Sequence, residues 1–136
     1  MSDNESNEGF SMPKHGEVCW TELATSNVDT CKSFYSDLFG WNYQGGTVPE
    51  MAYHEISLNG GEVFGGMYTL TAEMANTPPH WMPYVAVDDI DAALQKAEDL
   101  GGTIIMPGTD IPQTGRFGVI ADPTGAVIAM ITLNAS

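Results

Sequence analysis

A chain of 136 residues with 43% hydrophobic and 10% aromatic residues is large enough to bury one core and too apolar to be disordered. Eighteen Asp and Glu residues against four Lys and Arg residues give a formal net charge of −14, which argues against nucleic acid and anionic membranes as partners. No apolar run reaches the roughly 20 residues that span a bilayer, and residues 1–9 lack the features of a signal peptide. A cytoplasmic location is therefore expected.

The first half of the chain predicts one strand, one helix and three strands in that order. Residues 1–15 are polar and are predicted to form a flexible acidic tail. Alternating hydrophobicity from Glu17 to Thr25 indicates a strand, Ser26 or Asn27 can cap a following helix, and Gly40 ends it. That helix is expected to bury Cys31, Phe34, Tyr35 and Leu38. Strands are predicted at 41–44, 52–58 and 62–68, with a hairpin turn at Asn59-Gly60-Gly61.

The second half repeats this succession after a proline-bearing connector, residues 71–79. A strand at 82–87 leads to a helix that Asp88 or Asp89 can cap and that Gly101-Gly102 ends. The helix is expected to bury Ile90, Ala93, Leu94, Ala97 and Leu100. The remaining strands are predicted at 103–106, 117–121 and 126–132.

The two halves match each other in sequence. A shift of 62 residues places Leu23 on Val85, and a shift of 64 places Gly61 on Gly125. We predict one domain, residues 16–134, with modules at about 16–70 and 80–134, joined by a linker at 71–79; chance similarity is the alternative. The predicted fold is α+β, with two tandem βαβββ modules forming a curved mixed sheet around a concave cavity.

Two motifs resemble those of a known superfamily. They are the helix end Phe34-Tyr35-Ser36-Asp37-Leu38-Phe39-Gly40-Trp41 and the turn Asp122-Pro123-Thr124-Gly125-Ala126. With the duplicated unit, they resemble the vicinal oxygen chelate superfamily of glyoxalases, bleomycin-resistance proteins and dioxygenases, and are most similar to bacterial members related to lactoylglutathione lyase. The resemblance covers nearly everything after His15. It implies the fold but no single reaction, because this fold hosts isomerases, epimerases, dioxygenases and drug-sequestering proteins.

In the enzymes of that superfamily, the resemblance implies a divalent metal held by His, Gln or Glu residues, from the first and the last strand of each module. Counting from the helix caps and the Asp-Pro turn places Trp20, Gly65, Met82 and Ala129 at these positions. None of them offers the oxygen or imidazole ligand that a hard divalent ion requires. The histidines, His15, His54 and His80, form no closely spaced pair. We predict no metal and no other cofactor.

Strand alternation predicts the side chains that line the concave face. On this basis the expected ligand-binding residues are Trp20, Glu22, Met67, Met82, Tyr84 and Ala129. An apolar, aromatic face of this kind suits a small organic molecule, unless Trp20 and Met82 fill the cavity themselves. Arg116 is a further candidate, for binding a carboxylate or phosphate; its alternative is an ion pair with a neighbouring acid.

The candidate catalytic residues are Glu22 and Tyr84. A carboxylate among aromatic side chains has a raised pKa, which suits a general base, and a tyrosine can donate a hydrogen bond to a substrate oxygen. The alternative is that Glu22 points to solvent at an open rim.

Three functional hypotheses follow. The leading one is a glyoxalase-like, metal-independent protein that binds a small organic molecule. The second is an enzyme, a lyase or isomerase that uses Glu22 as its base, or a metal-dependent relative of the glyoxalases and dioxygenases. The third is a structural role with a filled cavity. A homodimer is expected because open sheet edges and apolar rims require cover. The sequence names neither the ligand nor a reaction.

Overall fold

A computed structural model of the chain describes residues 12–45, 53–74 and 76–134. The predicted tail up to residue 11, and Ala52 at the predicted start of a strand, lie outside the described residues. The elements are, in chain order, β1 (Val18–Thr25), α1 (Val28–Phe39), β2 (Trp41–Gly45), β3 (His54–Leu58), β4 (Gly65–Thr69), a short 3-10 helix (Ala72–Met74), β5 (His80–Ala86), α2 (Ile90–Asp99), β6 (Thr103–Ile111), β7 (Gly115–Ala121) and β8 (Val127–Leu133). This order confirms the predicted α+β class and the βαβββ succession that occurs twice.

The chain divides into two compact units, which are described separately. The first runs from Val18 to Tyr84, and the second runs from Val85 onward together with the described residues up to Glu17. Neither helix of the described residues has the length and apolar character that crossing a membrane requires.

The first unit is a mixed sheet covered by one helix. Its strands lie in the order β2-β3-β4-β1, with antiparallel pairing of β2, β3 and β4 and parallel pairing of β1 with β4. The Asn27 side chain caps α1 by accepting the N–H of Thr30 at 3.0 Å, and Gly40 ends the helix with a φ of +80°. The buried core of the unit is formed by Leu23, Val28, Ile56 and Met67.

The predicted buried faces of the two helices are partly wrong. Phe34 and Leu38 are 57% and 58% exposed, because the buried side of α1 runs through Val28 and turns only Cys31 and Tyr35 towards the core. Leu100 is 70% exposed because it stands at the C-cap, past the last helical turn. Each helix therefore buries a narrower stripe than its apolar residues suggest.

The second unit repeats the plan. Its strands lie in the order β8-β7-β6, and the chain after β5 reaches β8, where the Val87 N–H donates to the Ile131 carbonyl at 2.9 Å. Asp89 caps α2 by accepting the N–H groups of Asp91 and Ala92. Ile90, Leu94 and Met130 form the core between helix and sheet.

The Asp-Pro turn of the second unit is held by its own aspartate. Asp122 Oδ1 accepts the Thr124 hydroxyl at 2.7 Å and the N–H groups of Thr124 and Ala126 at 2.8 and 3.1 Å. These hydrogen bonds, first of all those from Thr124, lower the pKa of Asp122. The motif that carries part of the family resemblance therefore has a structural role, which is to close the turn between β7 and β8.

Candidate functional site

Glu22, in the middle of β1, is the centre of a hydrogen-bonded cluster within the first unit. The Tyr53 hydroxyl donates to Glu22 Oε2 at 2.8 Å, and the Tyr84 hydroxyl donates to Glu22 Oε1 at 3.0 Å. The Trp20 Nε1–H in turn donates to the Tyr53 hydroxyl at 3.0 Å. The Tyr53 ring stacks on that of Tyr68, with ring centroids 6.3 Å apart and an interplanar angle of 14°. We call these five residues the Glu22 cluster.

Gly66 makes room for Tyr53 in the cluster. In the parallel pairing of β1 with β4, Glu22 lies beside Gly66 and Ala24 lies beside Tyr68. A Cβ atom on Gly66 would overlap the hydroxyl group and ring of Tyr53. Only a glycine therefore allows the Tyr53 ring to lie against β4 within reach of the carboxylate.

The predicted register of the last strand in the first unit is wrong by one residue. The 64-residue shift holds at the turns, where Gly61 and Gly125 each donate an N–H to the carbonyl three residues earlier. In the strands the shift is 63. In the first unit Thr25 pairs with Thr69. In the second unit the Val87 N–H donates to the Ile131 carbonyl, and in a parallel pair this bond makes Thr132 the partner of Val87. Val87 is the equivalent of Thr25, so Thr132 is the equivalent of Thr69, 63 residues earlier.

That correction changes which residues of β4 share a face with Glu22. A one-residue slip moves every side chain of a strand to the opposite face. Gly66 and Tyr68 lie on the Glu22 face, whereas Met67 pairs with Leu23 and is fully buried in the core. Gly66, rather than Gly65, is therefore the structural equivalent of Ala129.

The residues at the four family metal positions do not fit a metal. With the corrected register these positions hold Trp20, Gly66, Met82 and Ala129. Two have no side-chain donor atom, the Trp20 indole already donates its N–H to Tyr53, and a thioether is a poor ligand for hard divalent ions. Across residues 12–45, 53–74 and 76–134, no group of three or more His, Cys, Asp or Glu side chains is arranged to hold a metal ion.

The electrostatics of the cluster follow from burial. Burial raises the pKa of Glu22, while the hydrogen bonds from Tyr53 and Tyr84 and the nearby His80 act in the opposite direction. Burial, followed by the charge of Glu22 and its hydrogen bond, raises the pKa of Tyr53 and of Tyr84. Both tyrosines therefore keep their protons and serve as donors to the carboxylate.

The structure brings together three of the predicted site residues, Trp20, Glu22 and Tyr84. Met82 lies on β5 and is partly buried. Met67 and Ala129 each have 0% exposure, so we do not include them in the proposed ligand site. Arg116 belongs to the second unit, where its guanidinium bonds Asp91 and Asp110 at 3.1 Å, the arrangement given as its alternative.

Tyr53 and Tyr68 were missed by the sequence analysis. Tyr68 follows from the correct register of β4, because it lies beside Ala24 on the Glu22 face. Tyr53 lies within the predicted strand 52–58, two residues before Glu55. Because Glu55 pairs with Gly66, alternation places Tyr53 on the Glu22 face once the register of β4 is known.

The cluster lies at a partly open surface. One open hollow of about 470 Å³ lies in the first unit along residues 70–72 and 76–79, and another of about 530 Å³ lies in the second unit beside α2. Neither is lined by members of the Glu22 cluster. Tyr84 is 8% exposed, whereas the other four members are each partly exposed.

Replacing Gly66 with alanine is expected to displace Tyr53 and break both of its hydrogen bonds, because the new methyl group would occupy the space of the Tyr53 ring. The indole N–H resonance of Trp20 should shift strongly in proton–nitrogen NMR spectra. Gly45→Ala is the matched control, since nothing lies within 4 Å of a Cβ atom there. A Trp20 resonance that stays in place in Gly66→Ala would contradict the described packing.

The two βαβββ units define the class of protein, namely a glyoxalase-type α+β fold, and the first unit carries an aromatic–carboxylate cluster. The model of the Glyoxalase/Bleomycin resistance protein/Dioxygenase superfamily matches residues 18–130. The chain belongs to this superfamily.

Curated relatives are similar to the chain over most of its length. CFP32 of Mycobacterium bovis, provisionally named a glyoxylase, is 37% identical over an alignment of 130 residues that covers 90% of this chain and 50% of that protein. The anthracycline biosynthesis protein DnrV of Streptomyces peucetius is 30% identical, over 85% of this chain and 46% of its own length. The chain thus spans about half the length of these relatives.

Solved structures share the fold at low sequence identity. Methylmalonyl-CoA epimerase from Mycobacterium tuberculosis superimposes with a TM-score of 0.64 at 14% identity, covering 92% of this chain and 94% of the epimerase. The hypothetical protein BH1468 from Bacillus halodurans has a TM-score of 0.68 at 12% identity, covering 90% and 98%. At these identities the likeness shows the fold and not the reaction.

Proposed function

We propose that the first unit binds a small organic molecule on the Glu22 cluster without a metal. The observation that carries this proposal is the carboxylate of the partly exposed residue Glu22, which two tyrosine hydroxyls hold from both sides at 2.8 and 3.0 Å. Such a carboxylate is oriented before binding, so little conformational entropy is lost when a ligand binds. The aromatic rings around it offer apolar contact area at a low cost in conformational entropy.

The site has its own spectroscopic probe. The indole N–H of Trp20 bonds the Tyr53 hydroxyl, whereas that of Trp81 bonds the Tyr35 hydroxyl and Trp41 stacks on the ring of Tyr35. A library of small organic molecules can therefore be screened by NMR on these three indole resonances. We expect ligands that shift the Trp20 signal and leave the other two in place. Ligands that consistently shift only the other signals would place the site elsewhere.

The proposed site predicts no stoichiometric divalent metal. Protein purified without chelators should contain much less than one equivalent of zinc, nickel, manganese or iron by mass spectrometry of the digested sample, because the four family positions offer no hard ligand. Calorimetric titration with Mn²⁺ should show only the weak heats of surface carboxylates. One equivalent of tightly bound metal, removed by a chelator with loss of ligand binding, would contradict the metal-free site.

A second candidate function is general-base catalysis by Glu22. The raised pKa of Glu22 favours it, because a base works best when its pKa approaches the operating pH. In this role Glu22 would remove a proton from a carbon next to a carbonyl group, and the Tyr84 hydroxyl would turn from Glu22 Oε1 to donate its hydrogen bond to the carbonyl oxygen instead. The chemistry is that of a lyase or isomerase.

Methylmalonyl-CoA, the compound that several structural neighbours are named for, is a suitable first probe of this second function. Incorporation of deuterium from heavy water into the carbon acid, lost in Glu22→Gln and retained in Glu55→Gln, would support catalysis. Equal incorporation in the wild type and in Glu22→Gln would exclude Glu22 as the base.

Self-association is also part of the proposal. Phe34, Leu38 and Phe39 of α1 are each more than half exposed, and exposed apolar patches of this kind mark contact surfaces. Sedimentation should show a dimer that Leu38→Asp weakens; a monomer at high concentration would contradict it. The exclusion of nucleic acid remains a prediction from the net charge, and the cytoplasmic location remains a prediction from the sequence.

A further inference from the structure

We propose that the ligand of the Glu22 cluster is an organic cation, an ammonium or alkylated ammonium group carried by a small molecule. This inference rests on the proposed function of the same cluster and names the chemical class of its ligand. The cluster combines one carboxylate with four aromatic side chains: Trp20, Tyr53, Tyr68 and Tyr84. Aromatic rings attract ammonium groups through their negative faces, and cages of such rings bind quaternary ammonium ligands.

The first unit supplies no Lys or Arg partner for Glu22. From Val18 to Tyr84 the sequence contains seven Asp and Glu residues and a single basic residue of this kind, Lys32. The Lys32 ammonium lies over the ring of Tyr43, 5.8 Å from its centroid, and the described bonds to the Glu22 carboxylate come from tyrosine hydroxyls. The carboxylate is therefore oriented but its charge is not balanced by an ammonium or guanidinium of its own unit.

The oxygen atoms of Glu22 retain acceptor capacity towards a ligand. An ionised carboxylate has about four acceptor sites, and each tyrosine hydroxyl occupies one on a different oxygen. An N–H donor can use the remaining sites, and a fully alkylated ammonium can approach the same oxygens by charge attraction.

The other ligand classes meet a specific cost. An anion would face the Glu22 charge and a unit with seven acidic residues and one lysine. A neutral apolar molecule would cover the carboxylate without supplying a hydrogen-bond donor or a positive charge. Burying a carboxylate in this way is unfavourable. Only a cation both balances the carboxylate and uses the aromatic surface around it.

Choline and 3,3-dimethylbutan-1-ol form a matched pair for the test, because they have the same shape and differ in the charge on one central atom. Each is titrated into the whole chain at the same fixed pH and ionic strength. The readout is the Trp20 indole N–H resonance, with those of Trp41 and Trp81 as internal references. We expect choline to shift the Trp20 signal with at least a tenfold higher affinity than its neutral counterpart.

Two isosteric variants separate the local charge from the net charge of the chain. Glu22→Gln should weaken choline binding about tenfold or more and leave the neutral compound unaffected. Asp37→Asn removes one exposed charge on α1, the helix that packs on the Leu23 side of the sheet, and should change the choline affinity less than twofold. Equal losses in both variants would reduce the effect to net charge and overturn the inference.

The failures of the two proposals are distinguishable. If the neutral compound shifts Trp20 as strongly as choline does, the cluster still binds ligands, but the assignment to cations is overturned. If neither compound shifts the Trp20 signal at high millimolar concentration while uncharged aromatic molecules do, the cluster also binds ligands and the assignment to cations is again overturned. If no compound of the library shifts Trp20, both the inference and the proposed function fail.

Discussion

Replacing Met67 with alanine is expected to destabilise the first unit by about 2–5 kcal/mol, the range for removing a large buried side chain from a packed core. Met67 has no exposed surface and packs with Leu23, Val28 and Ile56. All three tryptophans of the chain lie between Val18 and Tyr84, so tryptophan fluorescence during urea unfolding reports on this unit.

Leu58→Ala is the matched control for Met67→Ala. Leu58 lies in the same sheet but is 44% exposed, so its truncation should cost less than about 1 kcal/mol. The comparison also decides the role of Met67, which the sequence analysis assigned to the ligand face. A stable Met67→Ala variant that loses ligand binding would contradict the described register and restore that assignment.

Tyr53→Phe should weaken the folded state by about 1.5 kcal/mol, near the lower limit for a hydrogen bond to a charged group, since Glu22 is partly exposed. The substitution removes the donor to Glu22 Oε2 and leaves the Trp20 Nε1–H without its acceptor. Tyr68→Phe makes the same chemical change on the neighbouring ring, whose described contact is the stacking with Tyr53, and should cost less. Equal costs in the two variants would show that the hydroxyl of Tyr53 has no special role.

The same substitution has a consequence for pH dependence. The pKa of Glu22 is raised above its usual 4.5, so the folded chain holds this proton more tightly than the unfolded chain does. The contribution of Glu22 to the free energy of unfolding is therefore fully present below pH 4.5 and is lost as the pH rises through the pKa that Glu22 has in the folded chain. The Tyr53 hydrogen bond lowers that pKa, so Tyr53→Phe should raise it further and extend the pH range of the loss. Urea unfolding across this range, compared with Tyr68→Phe, measures the difference.

Much of the fold could be predicted because local signals and long-range packing agree. Asn27 and Asp89 cap the two helices, and Asn59 and Gly60 adopt the positive φ angles of a tight hairpin turn, as their residue types indicate. The exposure of Phe34 and Leu38 could not be predicted in the same way. Helical spacing indicates which residues share a face, but the packing of the sheet decides how much of that face is covered.

The site was predicted only in part, for a reason of register. Alternation within β1 correctly placed Trp20 and Glu22 on one face, and the repeat brought in Tyr84. The spacing of the turns suggested that β4 and β8 are related by a shift of 64 residues, but their strand pairing corresponds to a shift of 63. Because of this difference of one residue, Met67 was predicted on the Glu22 face, where Tyr68 lies. A hairpin loop can differ in length by one residue while the strands it joins keep the same alternation of apolar and polar residues, so the alternation does not reveal the register.

The raised pKa of Glu22 depends on groups from several elements. Tyr53, Tyr84 and His80 act against the effect of burial on the pKa of Glu22, and burial, followed by the charge of Glu22, raises the pKa of Tyr68. A bound organic cation would add a stronger opposing effect, because it stabilises the ionised carboxylate directly. Ligand binding and proton release from Glu22 are therefore linked.

The most direct test is a pH titration of the Glu22 carboxyl carbon by carbon-13 NMR, assigned by its absence in Glu22→Gln and repeated with saturating choline. We predict a midpoint above 4.5 in the chain alone and a lower midpoint with choline, as linkage between proton and cation requires. A midpoint at or below the usual value, or one that choline leaves unchanged while the alcohol shifts it, would contradict a cation-binding carboxylate at this site.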